Sequence, residues 1–117
     1  PSGSATPAPT ATPTPSPTVT PCFAPTAQFT VVPTSGFRDK PGRPGTVFTF
    51  TDTSLNMTAG CNPIWSWNFG DGSGTSSLRS PTYVYAAQKT NPGFTVTLVV
   101  TNSVFTDTAS VVIPVSN

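Results

Sequence analysis

At 117 residues the chain has room for a single domain, and setting aside its opening Pro/Ser/Thr/Ala tract leaves about 95, the size of one small core. Only nine residues are charged, five basic and four acidic; Asp is the sole acid and His is absent, which removes the commonest general acid/base groups and the commonest metal ligand, so no cofactor and no metal are expected. A net charge of +1 speaks against a nucleic-acid partner, and no stretch approaches the roughly 18 apolar residues of a membrane span.

The first segment, residues 1–21, alternates Pro with Ser and Thr, Thr10 to Pro21 reading TATPTPSPTVTP. Proline fixes φ and disfavours helix in its predecessor, so the tract is expected to form a polyproline II stalk or connector, about 65 Å long at roughly 3.1 Å per residue. Its hydroxyls, on Ser2, Ser4, Thr6, Thr10, Thr12, Thr14, Ser16, Thr18 and Thr20, are O-glycosylation candidates of the mucin-stalk kind. Composition alone suits a solvated linker. The reading adopted is an ordered tail, and since the tract has too little apolar surface to order itself, a neighbouring copy, a dense glycan coat or its own domain must hold it. The opening at Pro1, without Met or a leader, reads as a processed or excised product, and the Thr/Ser/Pro-rich, Lys-poor composition points outside the cell.

Residues 22–117 make up the domain, and from Ala27 onward the pattern turns to period two, which means strands. Ala27, Phe29 and Val31 alternate with Gln28 and Thr30; Phe48 and Phe50 with Thr49 and Thr51; Trp65, Trp67 and Phe69 share a face opposite Ile64, Ser66 and Asn68. Tyr83 and Tyr85 form a short strand, Phe94, Val96, Leu98 and Val100 a longer one, and Ala109, Val111, Ile113 and Val115 the last. Between them lie GFRDKPGRPG (Gly36 to Gly45), AGCNP (Ala59 to Pro63), GDGSG (Gly70 to Gly74) and QKTNPG (Gln88 to Gly93), all turn chemistry, with no window for an amphipathic helix. An all-β, antiparallel sandwich of six or seven strands follows. Pro114 lacks an N–H, which places the last strand on an edge or beside a bulge.

Cys22 and Cys61, 39 positions apart, are either a disulfide or two buried thiols; an oxidising compartment favours the bridge, worth roughly 4 kcal/mol by loop-closure entropy. Asn56-Met57-Thr58 is an N-glycosylation sequon in a loop, which makes Asn56 a candidate. The loop Arg38 to Arg43 concentrates Arg38, Lys40 and Arg43, either a grip for an anionic glycan or neighbour or, more simply, a solvated loop. Trp65 reads more simply as sheet packing than as a sugar-stacking platform.

The string WNFGDGSGTSS (Trp67 to Ser77), followed by SPTYVY (Ser80 to Tyr85) and PGFTVTLVVTNSVFTDTASVVIPV (Pro92 to Val115), resembles the PKD (polycystic kidney disease) domain. APTAQFTVVPTSG (Ala24 to Gly36) and VFTFTDTS (Val47 to Ser54) fit that family's first two strands, so the resemblance spans residues 24 to 115. It departs at Asn68 for the usual Asp, Tyr83 for the usual His and Phe94 for the usual Tyr. The resemblance implies an immunoglobulin-like sandwich in which Trp67, Phe69 and Tyr85 belong to the core and Gly70, Asp71 and Gly72 make a tight turn, Asp71 serving as turn former rather than calcium ligand. In that strand order Cys22 and Cys61 lie at the same end, which supports their pairing, and the carboxyl terminus emerges near the opposite end.

Three functions compete. The first is a non-enzymatic extracellular structural subunit, the sandwich a rigid bead and the tail a contact with a neighbouring copy, repeated into a surface filament, sheath or layer. The second is an accessory module of a secreted hydrolase or adhesin, a spacer or a polysaccharide- or protein-binding domain. The third, an enzyme, lacks any constellation of nucleophile and base. The expected partners are further copies of the chain and covalently attached glycans.

Overall fold

A computed structural model describes residues 22–117. The stalk, its extended conformation and its O-glycosylation candidates lie outside the described residues. The strands are β1 (Phe29–Val32), β2 (Gly36–Phe37), β3 (Phe48–Asp52), β4 (Ile64–Asn68), β5 (Thr75–Ser76), β6 (Thr82–Tyr83), β7 (Lys89–Thr101) and β8 (Thr106–Ser116), with one helical turn at Ala59–Cys61. They form two sheets, one in the order β1-β3-β6 and one in the order β2-β8-β7-β4-β5.

The period-two pattern decides which faces meet. Val31, Phe48 and Phe50 from the small sheet are buried against Trp67, Val96, Leu98, Val100, Ile113 and Val115 from the large one, while the intervening Thr30, Thr49, Thr51 and Thr95 face solvent. Each such side chain contributes about 1.5–3 kcal/mol relative to exposure. Aromatic rings fill the middle: Phe50 lies 5.4 Å from Trp67 and 5.2 Å from Phe69, and Tyr85 stacks on Phe94 at 4.4 Å.

The structure departs from the sequence expectation in four places. The loop after β1 contains β2, which pairs in parallel with β8 (Gly36 with Val115, Phe37 with Ser116), so the sandwich is not wholly antiparallel. The chain leaves the small sheet at Val32 and adds a short strand to the large one, where Phe37 N–H donates to Thr46 Oγ1 at 2.9 Å. Among the described residues there are eight strands, because β2 and β5 are two-residue pieces that have no periodicity to read. Within Gln88 to Gly93, expected as a turn, Lys89 to Gly93 form the start of β7 instead. These residues are accommodated as a register shift between Lys89 and Phe94, and Gly93, at φ 142°, sits where a Cβ would strike the Ile113 carbonyl. Tyr85 lies beyond the short strand expected to include it, yet is fully buried.

Pro114 lies across from that register shift, between Ile113, paired with Phe94, and Val115, paired with Lys89. Ser116 accepts the Arg38 N–H (2.8 Å) through its carbonyl, so Ser116 faces β2, and by alternation Pro114 also faces away from β7. Its missing N–H therefore costs no bond of the β7–β8 ladder.

At one end of the sandwich a disulfide joins Cys22 to Cys61, their Cα atoms 5.7 Å apart. The β7–β8 turn closes onto it: Ser103 N–H donates to the Cys61 carbonyl at 2.9 Å. Asn102, buried, completes the seal, its Nδ2 donating to the Phe23 carbonyl (2.7 Å) and its Oδ1 accepting from Val104 N–H (2.9 Å) and Phe105 N–H (2.7 Å). From that turn β8 runs the length of the sandwich to Ser116, so the bridge and the end of β8 lie at opposite ends. Among the described residues no helix is long and apolar enough to cross a membrane.

Candidate functional site

A dense polar geometry forms the corner after β4. Asn68 Oδ1 accepts the Gly70 N–H (2.9 Å), and Asp71 Oδ1 accepts from Ser73 N–H (3.1 Å) and Gly74 N–H (2.8 Å), so the side chains complete a turn that backbone alone would leave open. Gly70, at φ 83°, packs against the Thr95 backbone, where a Cβ would run into the carbonyl oxygen. The other carboxylate oxygen of Asp71 accepts from the Tyr83 hydroxyl. Tyr83 in turn stacks on Phe69 at 4.0 Å, and the buried Tyr85 hydroxyl donates to the Phe69 carbonyl at 2.7 Å. Tyr83, on β6, thus ties the small sheet to the corner of the large one.

Burial is the largest single influence on Asp71 and raises its pKa. The hydrogen bonds from Tyr83, Gly74 and Ser73 outweigh it and hold the carboxyl below its ordinary 3.8. Burial, then the bond to Asp71 and its negative charge, push Tyr83 up to about 12; burial, then the charge of Asp71, also raise Tyr85. The signs are opposite in their pH consequences. The stability that Asp71 contributes is present above its ordinary value and lost as pH falls through the folded one. That of Tyr83 is complete below about pH 10 and lost as pH rises towards about 12. We expect Tyr83→Phe to lower stability at pH 7 by about 1 kcal/mol and to flatten the acid limb, because Asp71 loses a donor. Urea midpoints at pH 3, 7 and 10.5 test this, and an acid limb identical to that of the parent would refute it.

The other acids are committed to the fold in the same way. Asp39 Oδ1 accepts the Gly45 N–H (2.8 Å), Asp107 Oδ2 the Ala27 N–H (2.8 Å), and Asp52 accepts from Ser54 N–H (3.1 Å) and from Arg79 Nε at 3.1 Å. Arg79 also lies over the Trp65 ring, 5.2 Å from its centroid, so Trp65 is half-covered by a guanidinium rather than open as a stacking platform. Two of the three basic side chains of the loop, Arg38 and Arg43, are engaged in the same way, and Lys40 takes part through its backbone. Arg38 Nε donates to Asn117 Oδ1 (2.7 Å), Arg43 lies over the Phe37 ring at 4.6 Å, and Lys40 and Arg43 close a tight turn through reciprocal N–H to carbonyl bonds of 3.1 and 3.0 Å. Among the described residues there is no pocket and no group of three acidic, His or Cys side chains able to hold a metal.

Asn56 is exposed in the loop after β3, at φ 63°, and its Nδ2 donates to the Ala24 carbonyl at 3.1 Å. Trp67 and Phe69 are buried, and Trp67 Nε1 donates to the Leu78 carbonyl at 2.8 Å. Sequence reasoning missed Tyr83 as the partner of Asp71, Arg79 as the cover of Trp65, and the sealing role of Asn102. Only Asn102 carried a signal, as the closing residue of the strand motif TVTLVVTN.

The sandwich, the buried Trp67 and Tyr85 and the Asp71 corner agree with the comparison against protein families, where the PKD domain matches residues 30–115. This chain belongs to the PKD domain family. No curated protein matches it. Among solved structures, the PKD1 domain from the Vibrio cholerae metalloprotease PrtV is 27% identical at a TM-score of 0.58, covering 81% of this chain and all (100%) of that one. A structure of carbohydrate-binding modules from the β-sandwich superfamily, described for their promiscuous specificity, is 25% identical at a TM-score of 0.64 over 84% of this chain, which spans only 36% of that one. The PKD1 domain of Vibrio anguillarum Epp, 23% identical, shares the fold at a TM-score of 0.57, over 82% of this chain and 98% of its own.

In this PKD domain the departures from the family pattern are absorbed locally. Asn68 bonds the Gly70 N–H as a short acceptor should, Tyr83 reaches Asp71, and Phe94 meets Tyr85 face to face.

Proposed function

We propose that this PKD domain is a non-catalytic, extracellular structural module, the repeating subunit of a surface filament, sheath or layer, with residues 22–117 as the bead and residues 1–21 as an O-glycosylated connector touching a neighbouring copy. The observation that carries this reading is the disulfide-pinned end beside Cys22 and the opposite placement of the end of β8, which suit a rigid bead joined through its ends. The disulfide also favours an oxidising compartment. Each of the four Asp carboxylates bonds the protein's own N–H or O–H groups, which favours a mechanical role over chemistry.

The accessory-module reading has its own support, since this chain matches the whole of a PKD1 domain from a metalloprotease and part of a carbohydrate-binding structure. Negative-stain imaging of native, unreduced material, with intact mass before and after deglycosylation, separates the two. Regular assemblies with mass above the bare 12.1 kDa are expected; monodisperse particles of 12.1 kDa would overturn the structural reading and favour the accessory module.

A further inference from the structure

Among the described residues, β8 is paired on one side only between Thr106 and Val112. β7 covers the near side along its whole length, whereas β2 covers the far side only at Val115 and Ser116. Backbone directions alternate along a strand, and the Ser116 carbonyl points to β2, so Thr106, Thr108, Ser110 and Val112 turn their N–H and C=O groups away from β7. Among the described residues nothing bonds those groups.

Edges of this kind are ordinarily blunted by charge, proline or brevity. Here the side chains that flank the open groups, those of Thr106, Thr108, Ser110 and Val112, are exposed and uncharged. The strand's one charge, Asp107, is turned beneath it to accept the Ala27 N–H at 2.8 Å. Ala109 and Val111, on the inner face, are only partly covered by the core they border.

We infer that β8 pairs antiparallel with β8 of a second copy of this chain, about a two-fold axis at Ala109, joining the two large sheets edge to edge. This register follows from the side chains. Thr108 lies opposite the partner's Ser110 and Thr106 opposite the partner's Val112, which makes every open residue a hydrogen-bonded pair. Asp107 then faces the partner's Val111, not its own copy. Sliding towards the carboxyl end brings Pro114, with no N–H, into the ladder; sliding the other way leaves Val112 opposite the β7–β8 turn. A two-fold contact closes on itself, so it supplies one of the contacts that a sheath or layer needs and a different surface supplies the next. The inference rests on the self-assembling reading above.

The test uses the full oxidised chain in sedimentation equilibrium, with far-UV circular dichroism confirming the fold of each variant. Ser110→Pro removes an outward N–H from the same strand parity that already tolerates Pro114. The pair Thr108→Lys with Ser110→Lys sets like charges opposite each other twice in the proposed register, whereas Thr108→Glu with Ser110→Lys sets opposite charges there. The parent is expected to dimerise, Ser110→Pro and the double-lysine variant to raise the dissociation constant about thirty-fold, and the Glu/Lys variant to stay within about threefold of the parent. If Ser110→Pro fails to fold, the two charge variants carry the comparison. Equal association of all variants overturns the edge contact and leaves self-assembly standing; a parent that stays monomeric at millimolar concentration overturns both. Dissociation of the Glu/Lys variant along with the double-lysine one overturns the register.

Discussion

Replacing Trp67 with alanine is expected to lower the unfolding free energy of the full chain by about 4 kcal/mol. Trp67 is 1% exposed and stands among Phe29, Phe50 and Phe69, with ring centroids at 4.9, 5.4 and 6.4 Å, so its removal opens a cavity that these rigid neighbours cannot collapse into. It also leaves the Leu78 carbonyl without the indole N–H that it accepts at 2.8 Å. Trp67→Phe keeps most of the volume and loses that bond, with an expected cost of about 1–2 kcal/mol. Trp65→Ala is the control: the same residue type two positions away, covered by Arg79 rather than enclosed, and expected to cost about 1 kcal/mol. Guanidinium unfolding followed by far-UV circular dichroism ranks the three. Equal losses at Trp65 and Trp67 would contradict the placement of Trp67 at the enclosed centre of that face of β4 and of Trp65 at its partly covered margin.

Removing the bridge through Cys22→Ala with Cys61→Ala is expected to cost roughly 4 kcal/mol, from the freedom returned to the unfolded chain by opening a loop of this length. The bridge spans 39 positions and clamps the lead-in to β1 against the helical turn Ala59–Cys61, onto which the β7–β8 turn closes through the Ser103 N–H. The loss should therefore have a local counterpart: faster hydrogen exchange at Ser103, whose N–H bonds the Cys61 carbonyl, while amides in the middle of β7 change only by the global loss of stability. Reducing agent added to the parent should reproduce both effects. An unfolding midpoint that does not move in the double variant would mean that the unfolded chain is already restrained without the bridge.

Both effects concern features legible in the amino-acid sequence, and the reason is physical. Strands of a sandwich must alternate because one face is buried, so Phe48, Phe50, Val96, Leu98 and Val100 announce themselves by spacing alone. A tight turn must use residues with the right backbone freedom and short acceptors, so Gly70, Asp71 and Gly72 are readable locally. What was not legible is equally specific. Tyr83 and Asp71 are 12 positions apart, Arg79 and Asp52 27, and Asn102 and Phe23 79. No local rule says which distant acceptor a side chain will meet.

The same division holds for the sheets. The sequence by itself determined the class of fold, the composition of its core and the chemistry of its corner, since these follow from side-chain period, volume and turn preference. The packed chain sets that Gly36 and Phe37 join the large sheet in parallel, that Lys89 to Gly93 enter β7 as an irregularity, and that among the described residues nothing pairs with the far side of β8 from Thr106 to Val112. Strand neighbours are chosen by which segments the packed core brings within hydrogen-bonding distance, and that choice belongs to the whole chain rather than to any stretch of it.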